Sequence, residues 1–421
     1  VTTRHATIIT SDAVYLDGER PRLLPGDWAV AGLGALLRRV AARTGTREGV
    51  LILDRVAALD LGIPVDEVID DPKAMQTVGD MLAVAVGDSG WRCRSVKSWT
   101  TLRADGLPTM QLGILPWMRA DTFGLQVGDF DTDPGATADA LGLWWELTGS
   151  AYLMSPGVAA LRVLQDMVRG GRLKPAWKSE PPCPGVEHRW APWVRPPMLT
   201  GFQEPVTVYD KRRAGLAAAA SAEVCIGHLK PTGARAFDRR LAGWWQIEVP
   251  AWNDDRLPHP CGPDVVAGDV RWVTTPTLWL LDDLAQLGRT GIARVVNSYT
   301  GTGRRLFRYW AQRMEQAWQA ASRLESPVGD AVAETVKRGA AREAHGMMAA
   351  GTGAIQREDW HHTITAVKRC NMFRAIDRVL AMGGPTPMMV DDDAVIYQHG
   401  PVLSLPVGTK LGEYCMENMV L

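Results

Sequence analysis

The chain has 421 residues, with 46 Lys and Arg against 47 Asp and Glu and a formal net charge of −1. A near-neutral total argues against a protein that coats nucleic acid nonspecifically, but it leaves room for a local basic groove beside an acidic site. The length exceeds one ordinary core, so two or three domains are expected.

The first residues, Val1-Thr-Thr-Arg-His5, lack the apolar core of a secretion signal. No apolar run reaches the length of a membrane span, so a cytoplasmic protein without membrane contact is expected. Residues 1–170 read as a mixed α/β domain. Asp27 to Ala42 has helical spacing of apolar residues, and Val50-Leu-Ile-Leu-Asp54 reads as a short buried strand. Residues 96–103 and 109–116 flank Ala-Asp-Gly and predict a hairpin. Thr137 to Thr148 and Gly157 to Val168 predict amphipathic helices. Residues 171–200 hold seven prolines, a density that blocks helix and central strand, and the domain boundary is placed there.

The second half opens with a strand, Val206-Thr-Val-Tyr-Asp210, and an alanine-rich helix through about Ser221. Residues 244–249 and 270–274 predict strands, and Pro276 at a first helical turn opens a helix through Leu287. Residues 303–323, 328–349 and 358–382 predict helices. Gly301-Thr-Gly303 lacks the Gly-Lys-Ser/Thr ending of a phosphate loop and is expected to cap the helix after it. Arg304, Arg305 and Arg308 of that helix then face nucleic acid or nucleotide.

Residues 385–399 enclose three aspartates, Asp391, Asp392 and Asp393, between β-branched and aromatic flanks, which predicts a hairpin with an acidic tip. Strand alternation would send Asp391 and Asp393 one way and Asp392 the other. Taken alone, the stretch reads either as an acidic turn in water or as a site for a hard cation such as Mg²⁺. Asp210, at a strand end, could join it if both strands share a sheet. Otherwise Asp210 caps the helix that follows. Between them lies Lys337-Arg-Gly-Ala-Ala-Arg-Glu-Ala-His345-Gly346. Helical spacing puts Arg338, Arg342 and His345 on one face, either a solvated basic face or a cradle for a triphosphate.

This order of acidic strand end, basic helix and acidic hairpin resembles the three polymerase motifs of the family B DNA polymerases, in particular their compact protein-primed branch. The first, Asp-x-x-Ser-Leu-Tyr-Pro, is similar to Asp210-Lys-Arg-Arg-Ala-Gly-Leu216. The second, Lys-x-x-x-Asn-Ser-x-Tyr-Gly, is similar to Arg338-Gly-Ala-Ala-Arg342-Glu-Ala-His345-Gly346. The third, Tyr-x-Asp-Thr-Asp-Ser, is similar to Met389-Val-Asp391-Asp-Asp393-Ala394. Val407-Gly-Thr-Lys410-Leu-Gly412 onward is similar to the stretch leading into the thumb. The resemblance covers about 195–421 through motifs and 1–190 by position only.

The resemblance implies an α/β and α+β fold: a ribonuclease-H/exonuclease-like domain at 1–170, a linker at 171–200, a palm at 201–290 and 358–421, and helical fingers at 291–357. It implies metal-dependent nucleotidyl transfer to a primer, with Mg²⁺ or Mn²⁺ on Asp210, Asp391 and Asp393. Arg338, Lys337, Arg342, Gly215 and His345 would form the nucleotide pocket, and Arg304, Arg305, Arg308 and Lys410 would meet nucleic acid. Nucleic acid and nucleoside triphosphates are the implied partners, with a priming or terminal protein as a further one. A retired polymerase that binds nucleic acid without chemistry is the alternative. Three departures stand out. The family tyrosine that gates the sugar falls at Gly215, which predicts either open space and tolerance of ribonucleotides or a pocket refilled by a bulky neighbour. Arg342 and Glu343 replace Asn-Ser. Asp392 and Ala394 replace Thr and Ser. A full thumb would need more residues than follow the hairpin.

In the first domain, Asp17-Gly-Glu19 has the letters of an exonuclease Asp-x-Glu, but Asp-Gly signals a turn. Asp129 and Asp131 lie in another turn-like run, and an inactive exonuclease-like domain is expected. His361-His362 lacks the i, i+4 spacing of a helical metal site. The pairs Trp144-Trp145 and Trp244-Trp245 are each expected to send one ring inward and one elsewhere. The six cysteines have no ligand or disulfide spacing and are expected to be reduced.

Overall fold

The computed structural model describes residues 6–10, 13–25, 27–44, 48–65, 78–96, 99–117, 124–125, 127, 133–169, 171, 174–180, 183–187, 193–195, 205–262, 265–350, 354–398 and 405–420, and the statements below concern those residues. They form two compact units, Val1–Asp166 with Arg313–Gly339, and Met167–Gln312 with Ala340–Leu421.

The first unit is built on a seven-stranded sheet of β1 (Ala6–Ile9), β2 (Ala13–Leu16), β3 (Arg22–Leu23), β4 (Glu48–Leu53), β5 (Arg92–Val96), β6 (Trp99–Arg103) and β7 (Thr109–Ile114). The order is β3-β2-β1-β4-β7-β6-β5. β4 runs parallel to both β1 and β7. Every residue of β4 is buried, as expected for a parallel strand covered on both faces. Its Glu48 carboxylate is held by Arg162 at 2.7 Å and by Gln111 at 2.6 Å. Helices α1 (Gly32–Thr44), α2 (Arg55–Asp60), α3 (Val78–Val86), α4 (Pro134–Thr148) and α5 (Pro156–Arg169) complete the layers. α4 starts with Pro134 in its first turn and an Asp133 cap, and ends at Gly149 with φ 72°, the left-handed conformation glycine adopts freely. Asp17-Gly18 is a turn after β2. Asp17 is buried and accepts a hydrogen bond from the Ala6 amide at 3.2 Å, and Glu19 pairs with Arg22. Asp129 and Asp131 lie outside the described residues.

The second unit contains β8 (Trp193–Val194), β9 (Pro205–Lys211), α6 (Ala214–Ser221), β10 (Val224–Cys225), β11 (Lys230–Pro231), β12 (Leu241–Glu248), β13 (Val270–Thr274), α7 (Thr275–Gln286) and β14 (Arg294–Arg304). α8 (Arg308–Ser322) crosses the boundary between units, and α9 (Pro327–Arg338) belongs to the first. A π-helical turn, Gly339–Glu343, then leads to α10 (Ala344–Ala349), α11 (Glu358–Ala381), β15 (Met389–Asp391), β16 (Ala394–Gln398) and β17 (Tyr414–Val420). One sheet has the order β10-β14-β12-β13, with β11 also on β14. The other has the order β17-β9-β16-β15-β8.

α11 is buried along most of its length. Its Phe373, Ile376 and Val379 share a core with Tyr209, Val390, Val395, Tyr397 and Tyr414 of the second sheet. Nearer its start, His362 packs on Trp244 of β12. Two buried ion pairs fix the helix. Arg357 binds Asp359 at 2.7 Å and lies over the Trp360 ring at 4.2 Å. Arg369 binds Glu187, whose carboxylate also accepts from the Thr274 amide at 2.6 Å and from the Thr277 hydroxyl. Glu187 belongs to the proline-rich stretch, so that stretch is tied into the core here.

Two expectations are corrected. Trp244 and Trp245 are both fully buried, because β12 is an interior strand covered on both faces. Gly301-Thr-Gly303 lies in β14 rather than capping a helix, and the helix starts only at Arg308. A Cβ at 301 would press on the Cys225 sulfur on β10, so the glycine gives that side chain its room. All six cysteines are free. Among the described residues no helix is long and apolar enough to cross a membrane.

Arg369→Met should leave the Glu187 charge buried without its partner and destabilise the protein by about 3–5 kcal/mol, measured by urea denaturation.

Candidate active site

β9 pairs with β16, and β16 with β15, so the acidic hairpin and Asp210 share one sheet. Ala394 pairs with Asp391 on one side and Asp210 on the other. Residues paired in register share a sheet face, so these three form a row on one face. At about 4.8 Å per strand, the Asp391 and Asp210 backbones lie roughly 10 Å apart, with only the Ala394 methyl between.

Asp392 and Asp393 form the two-residue connection of the hairpin. Asp392 has φ 49°, a left-handed conformation uncommon outside glycine. The alternation expected for Asp391 and Asp393 therefore does not apply. Asp393 sits in the turn, where its carbonyl accepts from the Lys211 amide at 2.9 Å. Asp210 and Asp391 are exposed, while Asp392 and Asp393 are half-buried.

The charges around this tip are interlocked. Burial pushes the Asp393 carboxyl above the usual carboxylate range. Lys368 pulls it down, and Asp392 and Asp210 push it further up. Lys368, from α11, reaches the turn and ion-pairs with Asp392, its side chain only 12% exposed. Lys211 lies over the Tyr414 ring at 5.6 Å. Burial lowers its pKa, and the Asp393 carboxylate acts against that. Among the described residues no group of three His, Cys, Asp or Glu could hold a metal ion. Asp210 and Asp393 are the carboxylates brought together, and one or two carboxylates suffice for Mg²⁺ when water and substrate phosphates complete its shell. The donor set fits such an ion.

At Gly215 the expected open space is absent. A Cβ there would collide with the Ala341 carbonyl oxygen of the π turn and approach the His345 Nε2 to 3.1 Å. The alanine-rich α6 lets the π turn settle directly on it. His345 stacks on His361 with centroids 5.4 Å apart, and His362 accepts from the Glu187 amide at 3.2 Å. The π turn also breaks the regular spacing that would align Arg338, Arg342 and His345 on one face. Arg342 is exposed. Lys337, at the end of α9, pairs with Glu334 at 3.4 Å.

The remaining basic residues are dispersed. Arg304 is exposed at the end of β14, Arg305 pairs with Glu223 at 3.1 Å, and Arg308 lies beside the Tyr309 ring. Arg305 also lines a cavity of about 320 Å³ with Trp279, Arg239, Asn371 and Arg374. Asp283 pairs with both Arg239 and Arg374 there, and Asp282 also pairs with Arg239. Lys410 is exposed in a turn pinned to the strand end by Arg212 and Arg213, which donate to the Gly408 and Thr409 carbonyls. Sequence reasoning missed Lys211 and Lys368. Lys211 stands next to Asp210 and was open to notice, whereas Lys368 meets the hairpin only through the docking of α11.

Gly215→Ala should cost about 1–3 kcal/mol in a denaturation experiment, because its methyl meets backbone rather than a flexible side chain. In the metal-free protein the folded state holds the Asp393 proton more tightly than the unfolded chain does. Stability should therefore fall as pH rises above about 4 through the raised value. Asp393→Asn should remove that fall in a melting series.

No family model matches the chain, and no curated protein sequence matches it. Solved structures do. Phi29 DNA polymerase complexed with primer-template DNA and incoming nucleotide substrates is similar with a TM-score of 0.53 at 10% identity, over 99% of this chain and 84% of that one. Phi29 DNA polymerase complexed with single-stranded DNA gives 0.51 at 11% identity, over 96% and 80%. Its orthorhombic crystal form gives 0.50 at 11% identity, over the same shares. At such identity the likeness is one of fold: this chain has a mixed α/β fold distantly similar to that of a family B, protein-primed DNA polymerase.

Proposed function

We propose that the protein transfers nucleotides to a primer on a nucleic-acid template, using Asp210 and Asp393 as its central carboxylates. The observation that carries this reading is that Asp210 pairs with Ala394, the residue after Asp393, while the Asp393 carbonyl accepts from the Lys211 amide and the Asp393 carboxyl is pushed up in pKa partly by Asp210. Similarity in fold to a polymerase seen with primer-template DNA and incoming nucleotide supports it. The hairpin sheet and α11 would be the palm. The helices from α8 to α10 would be the fingers.

In this mechanism Asp210 and Asp393 would hold Mg²⁺ or Mn²⁺, while Asp391, two strands from Asp210, stands apart from them. When bound, the ion would supply Lewis acidity for in-line attack of the primer 3′-hydroxyl, or a priming protein's hydroxyl, on the α-phosphate, with pyrophosphate as the leaving group. Lys211 and Lys368 offset the remaining carboxylate charge. Arg342 would offer an exposed cation for the triphosphate. The π turn over Gly215 fills the space that an open sugar gate would leave, so the refilled pocket is the reading we keep, and a preference for deoxynucleotides goes with it.

The β3-β2-β1-β4-β7 order, with β2 antiparallel to β1, supports a ribonuclease-H/exonuclease-like first unit. Use of Asp17 as a backbone partner supports a unit without nuclease activity. A second reading, a retired polymerase that binds nucleic acid without chemistry, is favoured by the closed approach at Gly215 and by the lysine at the acidic tip.

Mn²⁺- or Mg²⁺-dependent incorporation should be seen with the wild type on a primed template and be abolished in Asp393→Ala and Asp210→Ala. Absence of incorporation on DNA and RNA templates, with nucleic-acid binding retained, would establish the second reading instead.

A further inference from the structure

The geometry points to Lys368 as a resident counter-cation of the acidic hairpin, a positioning residue that suppresses divalent-cation binding until a nucleotide brings its own phosphates. This inference rests on the metal-site reading above and deepens it.

Three observations converge. Lys368 is delivered by α11, a helix locked by the Arg369–Glu187 pair one residue along, so its reach to the hairpin is built into the core. Its ammonium is largely withdrawn from water and ion-paired with Asp392. Asp392, in turn, holds the left-handed conformation that turns the chain toward Asp393. Lys211 adds a second ammonium, placed by the hydrogen bond between its own amide and the Asp393 carbonyl.

The hairpin tip and its neighbouring strand carry four carboxylates, Asp210, Asp391, Asp392 and Asp393, and the two ammoniums of Lys211 and Lys368 offset part of that charge. A divalent cation entering such a site gains less than it would from bare carboxylates, because each nearby ammonium repels it. A nucleoside triphosphate adds negative charge and oxygen ligands and shifts that balance. Neutralising Lys368 should do the same without a nucleotide.

The rival is that Lys368 merely braces the turn. The two predict opposite signs. If Lys368 is a counter-cation, Lys368→Gln should bind Mn²⁺ at least about tenfold more tightly than the wild type without nucleotide, read by Mn²⁺ electron paramagnetic resonance. Lys368→Arg should restore wild-type affinity, and Asp393→Asn in the Lys368→Gln background should erase the gain. Thermal melting of each variant in chelator checks the fold. Equal or weaker Mn²⁺ binding by Lys368→Gln overturns the inference. Primed-template incorporation run in parallel separates the failures. Incorporation with unchanged Mn²⁺ affinity sinks only the role of Lys368. No Mn²⁺ bound by any variant sinks the inference and the metal site together. Tighter binding without incorporation upholds the counter-cation and removes the enzyme reading.

Discussion

The second unit depends on one constraint: α11 must carry charged side chains through an interior shared by two sheets. Burying an isolated charge is prohibitive, so each of these is paired in place. Arg357 meets Asp359 and two backbone carbonyls, and Arg369 meets Glu187 and Thr277. These contacts set both the depth and the rotation of the helix. Adjacent residues on a helix differ by about 100°. With Arg369 turned to Glu187, Lys368 is free to point to the hairpin. The same docking covers one face of β9, β15 and β16 with Phe373, Ile376 and Val379.

The hairpin itself is under electrostatic tension. Its carboxylates repel, its turn places an aspartate at positive φ, and its relief comes from lysines on other elements. A fold with no use for the charges would be more stable without them, and tension of this kind concentrates at functional sites. Gly215 is a different kind of constraint. There the backbone of the π turn occupies the space a side chain would need, so the glycine serves close packing rather than openness.

Much of this was legible in the sequence. The strand at 206–210, the helix after it, the long helix at 358–382 and the hairpin all follow from periodicity and turn chemistry, and they are found. That Asp210 and the hairpin share a sheet was posed as a condition, and the register meets it. What was not legible depends on tertiary contact. Trp244 and Trp245 look like a half-buried pair until a second layer covers β12. Gly301-Thr-Gly303 looks like a cap until β10 is seen to need the space. The π turn interrupts what the sequence presents as continuous helical spacing between Arg338 and His345. Lys368 lies in a helix that sequence alone connects to nothing in the hairpin.

The central claim is that Asp210 and Asp393 act together on one divalent cation. Anomalous X-ray scattering from crystals grown with Mn²⁺ and a non-hydrolysable nucleoside triphosphate tests it most directly. The account predicts a Mn²⁺ peak within bonding distance of both carboxylates. A fully occupied nucleotide site with no Mn²⁺ peak at Asp210 and Asp393 would contradict it.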